Sequence, residues 1–248
     1  ADFTWTGLEN DSAVVDSETN AFTVAGGVDA EVAPGVVFGA AVSVGRAFTD
    51  AQSGAVSANE TSVAVTPYFA YRLTDQFSLQ GLVGYGYGRG DVTLEQTDVT
   101  GDIDSHRYFV AVEGGYFESW GDASLFAGVG VLWGQSHQLR YTRSDGRSIG
   151  SERVDIGSAN VVIQPSYLIA LDDDGDVVVE PYALLDYSYD FDITKIDNAT
   201  NDRDAFRVGG GANIYTRSGV SGAVEATRML GREDQEETTA RATLRFDF

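Results

Sequence analysis

Two histidines are the whole complement of the chain, and each stands beside groups that could do chemistry. Ser136 precedes His137, a nucleophile next to a base. Along an extended chain, however, neighbouring side chains point to opposite faces, so this hydroxyl and this imidazole do not meet. Asp102, Asp104 and His106 could serve acid–base hydrolysis, but only with further carboxylates brought in by folding, and the plainer expectation is a solvated loop. The run Asp172, Asp173, Asp174, Gly175, Asp176 has the acidity of a calcium loop. It lacks the alternating ligand spacing and the distal glutamate, and Asp-Gly between apolar runs marks a hairpin turn.

The acidic stretches Asp91, Glu95, Asp98, Asp102, Asp104 and Glu233, Asp234, Glu236, Glu237 could gather divalent cations collectively, although a charge-rich, solvated surface is the simpler reading. Arg140, Arg143, Arg147 and Arg153 stand out in so acidic a chain. Their guanidinium forks match phosphate and could touch lipopolysaccharide or anionic solutes. Internal pairing with Asp145, Glu152 and Asp155 is the equal alternative. No catalytic set, metal centre or cofactor is expected.

Composition narrows the class. With 38 acidic against 16 basic residues, a net charge of −22 and a pI near 4.1, the chain repels phosphate backbones, so nucleic acid is not an expected partner. Cysteine is absent, and there is neither a disulfide framework nor thiolate chemistry. Three Trp, 12 Tyr, 13 Phe and 29 Gly against four Pro describe strands and turns. No window approaches the roughly eighteen apolar residues of a helical membrane span. The mean hydropathy of −0.14 does not argue against a membrane barrel, in which only every second side chain meets lipid.

The segment from Thr238 to Phe248 shows the governing pattern. Ala240, Ala242, Leu244, Phe246 and Phe248 alternate with Thr239, Arg241, Thr243, Arg245 and Asp247, which is a strand with one apolar and one charged face. The same alternation predicts strands at 2–9, 20–32, 36–49, 60–73, 77–89, 106–118, 123–139, 153–171, 176–191, 203–216, 219–230 and 238–248. Short turns rich in Gly, Pro and Asp fall at 33–35, 74–76, 119–122, 172–175 and 217–219. Longer polar gaps fall at 10–19, 50–59, 90–105, 140–152, 192–202 and 231–237. Short turns on one rim and long loops on the other describe a closed antiparallel transmembrane barrel of twelve strands, its short rim facing the periplasm. The even count leaves both ends on that rim. One barrel domain over 1–248 is expected, in a bacterial outer membrane.

Facing follows from parity. Asp29, Glu31, Arg72, Arg107, Glu113, Glu180, Asp186, Arg207, Glu225, Arg241, Arg245 and Asp247 turn inward and line a polar lumen, because an Arg on the lipid face costs roughly 2–4 kcal/mol near the midplane. Arg46 and Arg228 fall on the outer side and require a rim position or a bulge. Phe69, Tyr71, Phe77, Tyr187, Tyr189, Phe246 and Phe248 collect near strand ends as aromatic girdles in contact with membrane lipid. Inward glycines at 39, 45, 84, 86, 88, 128, 130, 209 and 211 leave room for water, a folded-in loop or a threading segment.

The segments FTVAGGVDAEVAPGVVFGAAVSVGRAF (22–48) and FRVGGGANIYTRSGVSGAVEATRMLGREDQEETTARATLRFDF (206–248) are similar to the opening hairpin and last three strands of the translocator barrels of autotransporters. The resemblance is diffuse and spans most of the chain. It implies a pore through which a passenger segment passes, and a terminal aromatic, Phe248, read by the barrel-assembly machinery. Family members carry a passenger and a pore-threading helix upstream of the barrel, whereas strand-like sequence here begins at residue 2. The passenger therefore lies outside this chain, or the barrel stands alone and Ala1 begins a mature protein. A small-solute channel, a surface-anchoring barrel and a loop-based outer-membrane hydrolase are the rival readings.

Overall fold

The computed structural model describes residues 1–11, 16–51, 55–172, 174–193, 203–232 and 235–247. Among these, every regular element is a strand: β1 (Asp2–Asp11), β2 (Asp16–Ala33), β3 (Val36–Ala51), β4 (Val56–Arg72), β5 (Phe77–Leu94), β6 (Val99–Trp120), β7 (Ala123–Gln138), the short pair β8 (Tyr141–Thr142) and β9 (Ser148–Ile149), β10 (Glu152–Tyr167), its short continuation β11 (Ile169–Ala170), β12 (Val177–Ile193), β13 (Asp204–Thr216), β14 (Val220–Leu230) and β15 (Gln235–Phe246). Each long strand pairs antiparallel with its neighbours in sequence. Pairing of β1 with β15 then closes a twelve-stranded cylinder, with β10 held between β7 and β12. Closure leaves no open edge, the condition for crossing a lipid phase with strands.

The short-turn rim is built as the sequence suggests. Pro34 and Gly35 join β2 to β3, with Gly35 at φ 74° and its N–H donating to the Glu31 carboxylate at 2.7 Å. At the other rim the strands run further than hydropathy indicates. Residues 90–94 and 99–105, expected as loop, continue β5 and β6 and leave only 95–98 as the connection. Beyond a membrane both faces of a strand can be polar, so the alternation fades while backbone pairing continues.

Side-chain packing is inverted relative to a soluble protein. Only Val162, Ala205 and Met229 are buried hydrophobics among the described residues. Valines such as Val28, Val42, Val65, Val83, Val129 and Val224 stand about half exposed or more around the outside. A continuous apolar surface of this extent requires lipid around it.

Candidate functional site

The inner face can be identified from contacts that skip a strand, which side chains make only where they converge on the concave side of a cylinder. Tyr68 on β4 donates to Asp29 on β2 at 2.8 Å, passing over Gly39, the cross-strand partner of both. Tyr182 on β12 likewise crosses Gly211 and donates to Glu225 on β14 at 2.8 Å. Glu60 on β4 leans over Gly88, accepting from Ser105 at 3.3 Å and pairing with Arg107 on β6. A Cβ at Gly39, Gly84, Gly130 or Gly211 would overlap the side chains of Tyr68, Phe109, Asn160 or Tyr182. The expectation that such glycines leave open room is therefore corrected at these positions: larger inward side chains lie across them.

The inward charges form local networks. Arg207 spans Asp186 (3.2 Å) and Glu237 (2.8 Å), and Asp186 also accepts from Asn160. Arg245 holds both Asp29 and Asp247, at 2.9 and 2.8 Å. Arg241 pairs with Asp2, which Thr243 also approaches. Glu180 accepts from Ser124, Ser166, Asn213 and Tyr215, and Glu113 from Gln80. Glu31 serves the β2–β3 turn, and Arg72 sits at the same rim, its N–H bonded to the Gly35 carbonyl. Glu60, Asp2, Glu237 and the Arg232–Asp190 pair belong to this inner set, although hydropathy did not single them out. Asp2, Glu60 and Asp190 fall within the expected strands, where parity alone would have found them, and Glu237 needs only the period-2 pattern continued one residue before 238.

These charges are unevenly spread. Across the middle of β2 to β5 the inner positions are Ala21, Thr23, Ala25 and Gly27, then Ala41, Ser43, Gly45 and Ala47, then Ser62, Ala64 and Thr66, then Gly86, up to the Phe109 ring that lies over Gly84. That wall is smooth and uncharged. The opposite wall, β12 to β15, carries Glu180, Asp186, Arg207, Glu225, Arg241 and Arg245.

On the outside, Tyr71, Phe77 and Phe246 are exposed near the short-turn rim, where Phe69 rests against Phe38 and Phe77 against Tyr116. Tyr187 and Tyr189 occupy the far half of β12, Tyr187 against Phe206. Phe248, expected in the first of these belts, lies outside the described residues, as do Asp173, Glu233 and Asp234. Arg46 and Arg228 stand toward the long-loop ends of β3 and β14, with no register shift beside either. Their outward facing thus reflects rim position and not a bulge. Ser136 is paired with inward Arg107, while His137 is paired with His106 on the outer face, which separates the hydroxyl from the imidazole. Asp102, Asp104 and His106 lie on β6 and not in a loop. Tyr87 donates to Asp104 at 2.6 Å, and the Tyr85 hydroxyl meets His106 Nδ1 at 2.8 Å.

The arginine-rich loop splits between its two readings. Arg143 pairs with Asp145 and Arg153 with Asp155, whereas Arg140 and Arg147 are exposed without an ion pair among the described residues. The loop folds against β6: Ser144 and Thr100 exchange hydrogen bonds, and Tyr141 and Arg143 cover the inward side of Gly101. In the acidic 172–176 segment, Asp172 accepts the Asp176 N–H at 2.7 Å and Gly175 takes φ 65°, which is hairpin geometry.

A closed twelve-stranded barrel with an apolar belt and a polar interior defines an outer-membrane β-barrel protein. The sequence profile described as the autotransporter beta-domain matches residues 2–227, and the chain belongs to that family. Solved structures agree in fold. The translocator domain of the autotransporter NalP from Neisseria meningitidis is similar with a TM-score of 0.84 at 16% identity, covering 100% of this chain and 87% of that one. The beta domain of the Bordetella autotransporter BrkA gives 0.77 at 17%, covering 100% and 97%. The transport unit of AIDA-I from Escherichia coli gives 0.74 at 11%, covering 100% and 89%. No curated protein sequence matches. The chain is a translocator β-barrel domain of the bacterial outer membrane, and the solute-channel, anchor and hydrolase readings are not favoured.

Proposed function

We propose that the lumen conducts an unfolded passenger segment along its smooth wall. Family domains of this kind carry a passenger and are inserted by the outer-membrane assembly machinery. The observation that carries the reading is the asymmetry of the inner face: small, uncharged residues on β2 to β5 oppose arginines and carboxylates on β12 to β15. A moving polypeptide needs a surface that offers few side chains to catch on, and a wet polar wall to hydrogen-bond its backbone. Membrane lipid against the aromatic belts and the assembly machinery are the further partners of this reading.

The test uses the barrel with an epitope-tagged segment fused ahead of residue 1 behind a secretion signal. Gly86→Trp projects a large side chain from the smooth wall at a site where a Cβ meets nothing closer than 3.5 Å. Tag exposed to protease on intact cells is expected to fall sharply while heat-modifiable migration of the barrel is kept. Unchanged exposure with a folded barrel would count against passage along this wall.

A further inference from the structure

The outer face carries a band of basic groups that translocation does not use. Tyr87, His106, His137 and Arg153 are successive cross-strand partners on β5, β6, β7 and β10, so all four project from the same side. Tyr87 stands between inward Gly86 and Gly88, the partners of Arg107 and Ser105, which places all four on the outward side. Arg89 stands two residues beyond Tyr87 on β5, and Thr61 connects it in the same row to outward Arg46 on β3. Both histidines of the chain and three of its few arginines thus share one exterior surface, in a chain of net charge −22.

The height of the band follows from the tyrosines beneath it. Tyr85, Tyr87 and Tyr108 are exposed to the outside, and the first two direct their hydroxyls toward the long-loop rim, to His106 and Asp104. Rings in the apolar layer with polar tips above it mark the boundary between hydrocarbon and headgroups. An outward arginine costs several kcal/mol at the midplane but about 0–1 kcal/mol near the interface, so the band occupies the headgroup layer of the extracellular leaflet. Acids also face it. Asp104 receives the Tyr87 hydroxyl, Asp155 takes Arg153 and Gln135, and Asp91 and Asp102 pair with each other's positions one step further out. Arg46 and Arg89 hold no ion pair among the described residues, and the Arg46 guanidinium lies 4.8 Å over the Phe48 ring.

We propose that this band binds the phosphate groups of a phosphorylated glycolipid in the outer leaflet, with its acyl chains lying on the valines below. Guanidinium forks bind phosphate oxygens in pairs, and imidazole N–H groups supply further donors. The site rests on outer-membrane residence and not on passage of a passenger, so either reading can fail alone.

The experiment measures retention of diphosphorylated lipid A, and of the same lipid stripped of phosphate, by the refolded barrel in detergent. Wild type is expected to bind the phosphorylated lipid about tenfold more tightly than the stripped lipid, and a variant with Arg46→Gln, Arg89→Gln and Arg153→Gln is expected to lose that preference. A variant with Arg147→Gln, on the β8–β9 hairpin beyond the ends of β7 and β10, is expected to bind as wild type does. Equal binding of the two lipids overturns the proposal, as does a triple variant that binds like wild type or a loop variant that loses as much as the triple. Competition by inorganic phosphate alone at comparable concentration would also overturn it, in favour of a free-anion site. If the glutamine variant does not fold, lysine at the same three positions keeps charge but loses the fork. Intermediate retention is then expected, and undiminished retention counts against the site.

Discussion

The hydroxyl of Tyr68 donates to the Asp29 carboxylate at 2.8 Å from two strands away, and Gly39 is the residue that lets it pass. Asp29, Gly39 and Tyr68 occupy one row across β2, β3 and β4, so any side chain on the middle strand would stand where the phenol ring lies. The Tyr182–Gly211–Glu225 row repeats the device on β12, β13 and β14. A barrel without a hydrophobic core is stiffened in this way by aromatic rings laid over glycines and fastened to carboxylates.

Gly39→Ala is therefore expected to destabilise the barrel by about 1–3 kcal/mol, the usual consequence of overpacking. Tyr68→Ala removes the obstacle, so the double variant should be more stable than the two single losses added together. Urea unfolding of barrels refolded in lipid vesicles measures the cycle. Strict additivity would mean that ring and glycine do not compete for this space.

Adjacent residues of β4 test the sidedness of the wall. Val65 is 49% exposed midway along the strand, and Ala64 points into the smooth wall. Val65→Arg should cost roughly 2–4 kcal/mol of folding stability in vesicles, the depth-dependent cost of a cation against lipid. Ala64→Arg should fold nearly as wild type does. Equal costs would show that the two faces have been exchanged.

Strand number, order and parity were legible in the sequence, because lipid enforces alternation wherever the chain crosses it: Val63 and Val65 against Arg72 needed no coordinates. What lay beyond the apolar layer was not legible. Asp102 and Asp104 read as loop because no lipid sorts their two faces, yet backbone pairing carries β6 through them. Nor could period-2 reasoning reveal what crosses an inward glycine. Gly39 looks like a vacancy until the leaning direction of Tyr68, one strand away, is known. The outward histidine row escaped for a related reason: parity places each residue on a face, but only register brings His106 beside His137.

Arg207 uses both terminal nitrogens, one on Asp186 and one on Glu237. Lysine offers a single ammonium and cannot hold both carboxylates in that geometry. Arg207→Lys should lose about 1–2 kcal/mol, between the worth of exposed and buried pairs, since the guanidinium side chain is 32% exposed to a wet lumen. The loss should shrink in about 1 M salt, where the screening length falls to roughly 3 Å. A loss independent of salt would point to packing on Met229, the residue between β13 and β15 in this row, instead of charge.

Glu113, Glu225 and Glu180 are inward carboxylates along the barrel wall with no arginine partner among the described residues. Glu113 accepts from Gln80, Glu225 from Tyr182, and Glu180 from two serines, an asparagine and a tyrosine. Neutral donors orient a carboxylate but leave its charge uncompensated, so the lumen carries fixed negative charge. The refolded barrel in a planar bilayer under a salt gradient is therefore expected to show a reversal potential of cation-selective sign. Glu113→Gln with Glu225→Gln should move that potential toward zero without changing strand pairing, because glutamine can accept the same hydrogen bonds. An anion-selective reversal potential would sink this account of the lumen. A potential that ignores both substitutions would place the selective charge elsewhere, in the acidic Asp91 and Asp102 positions at the long-loop rim.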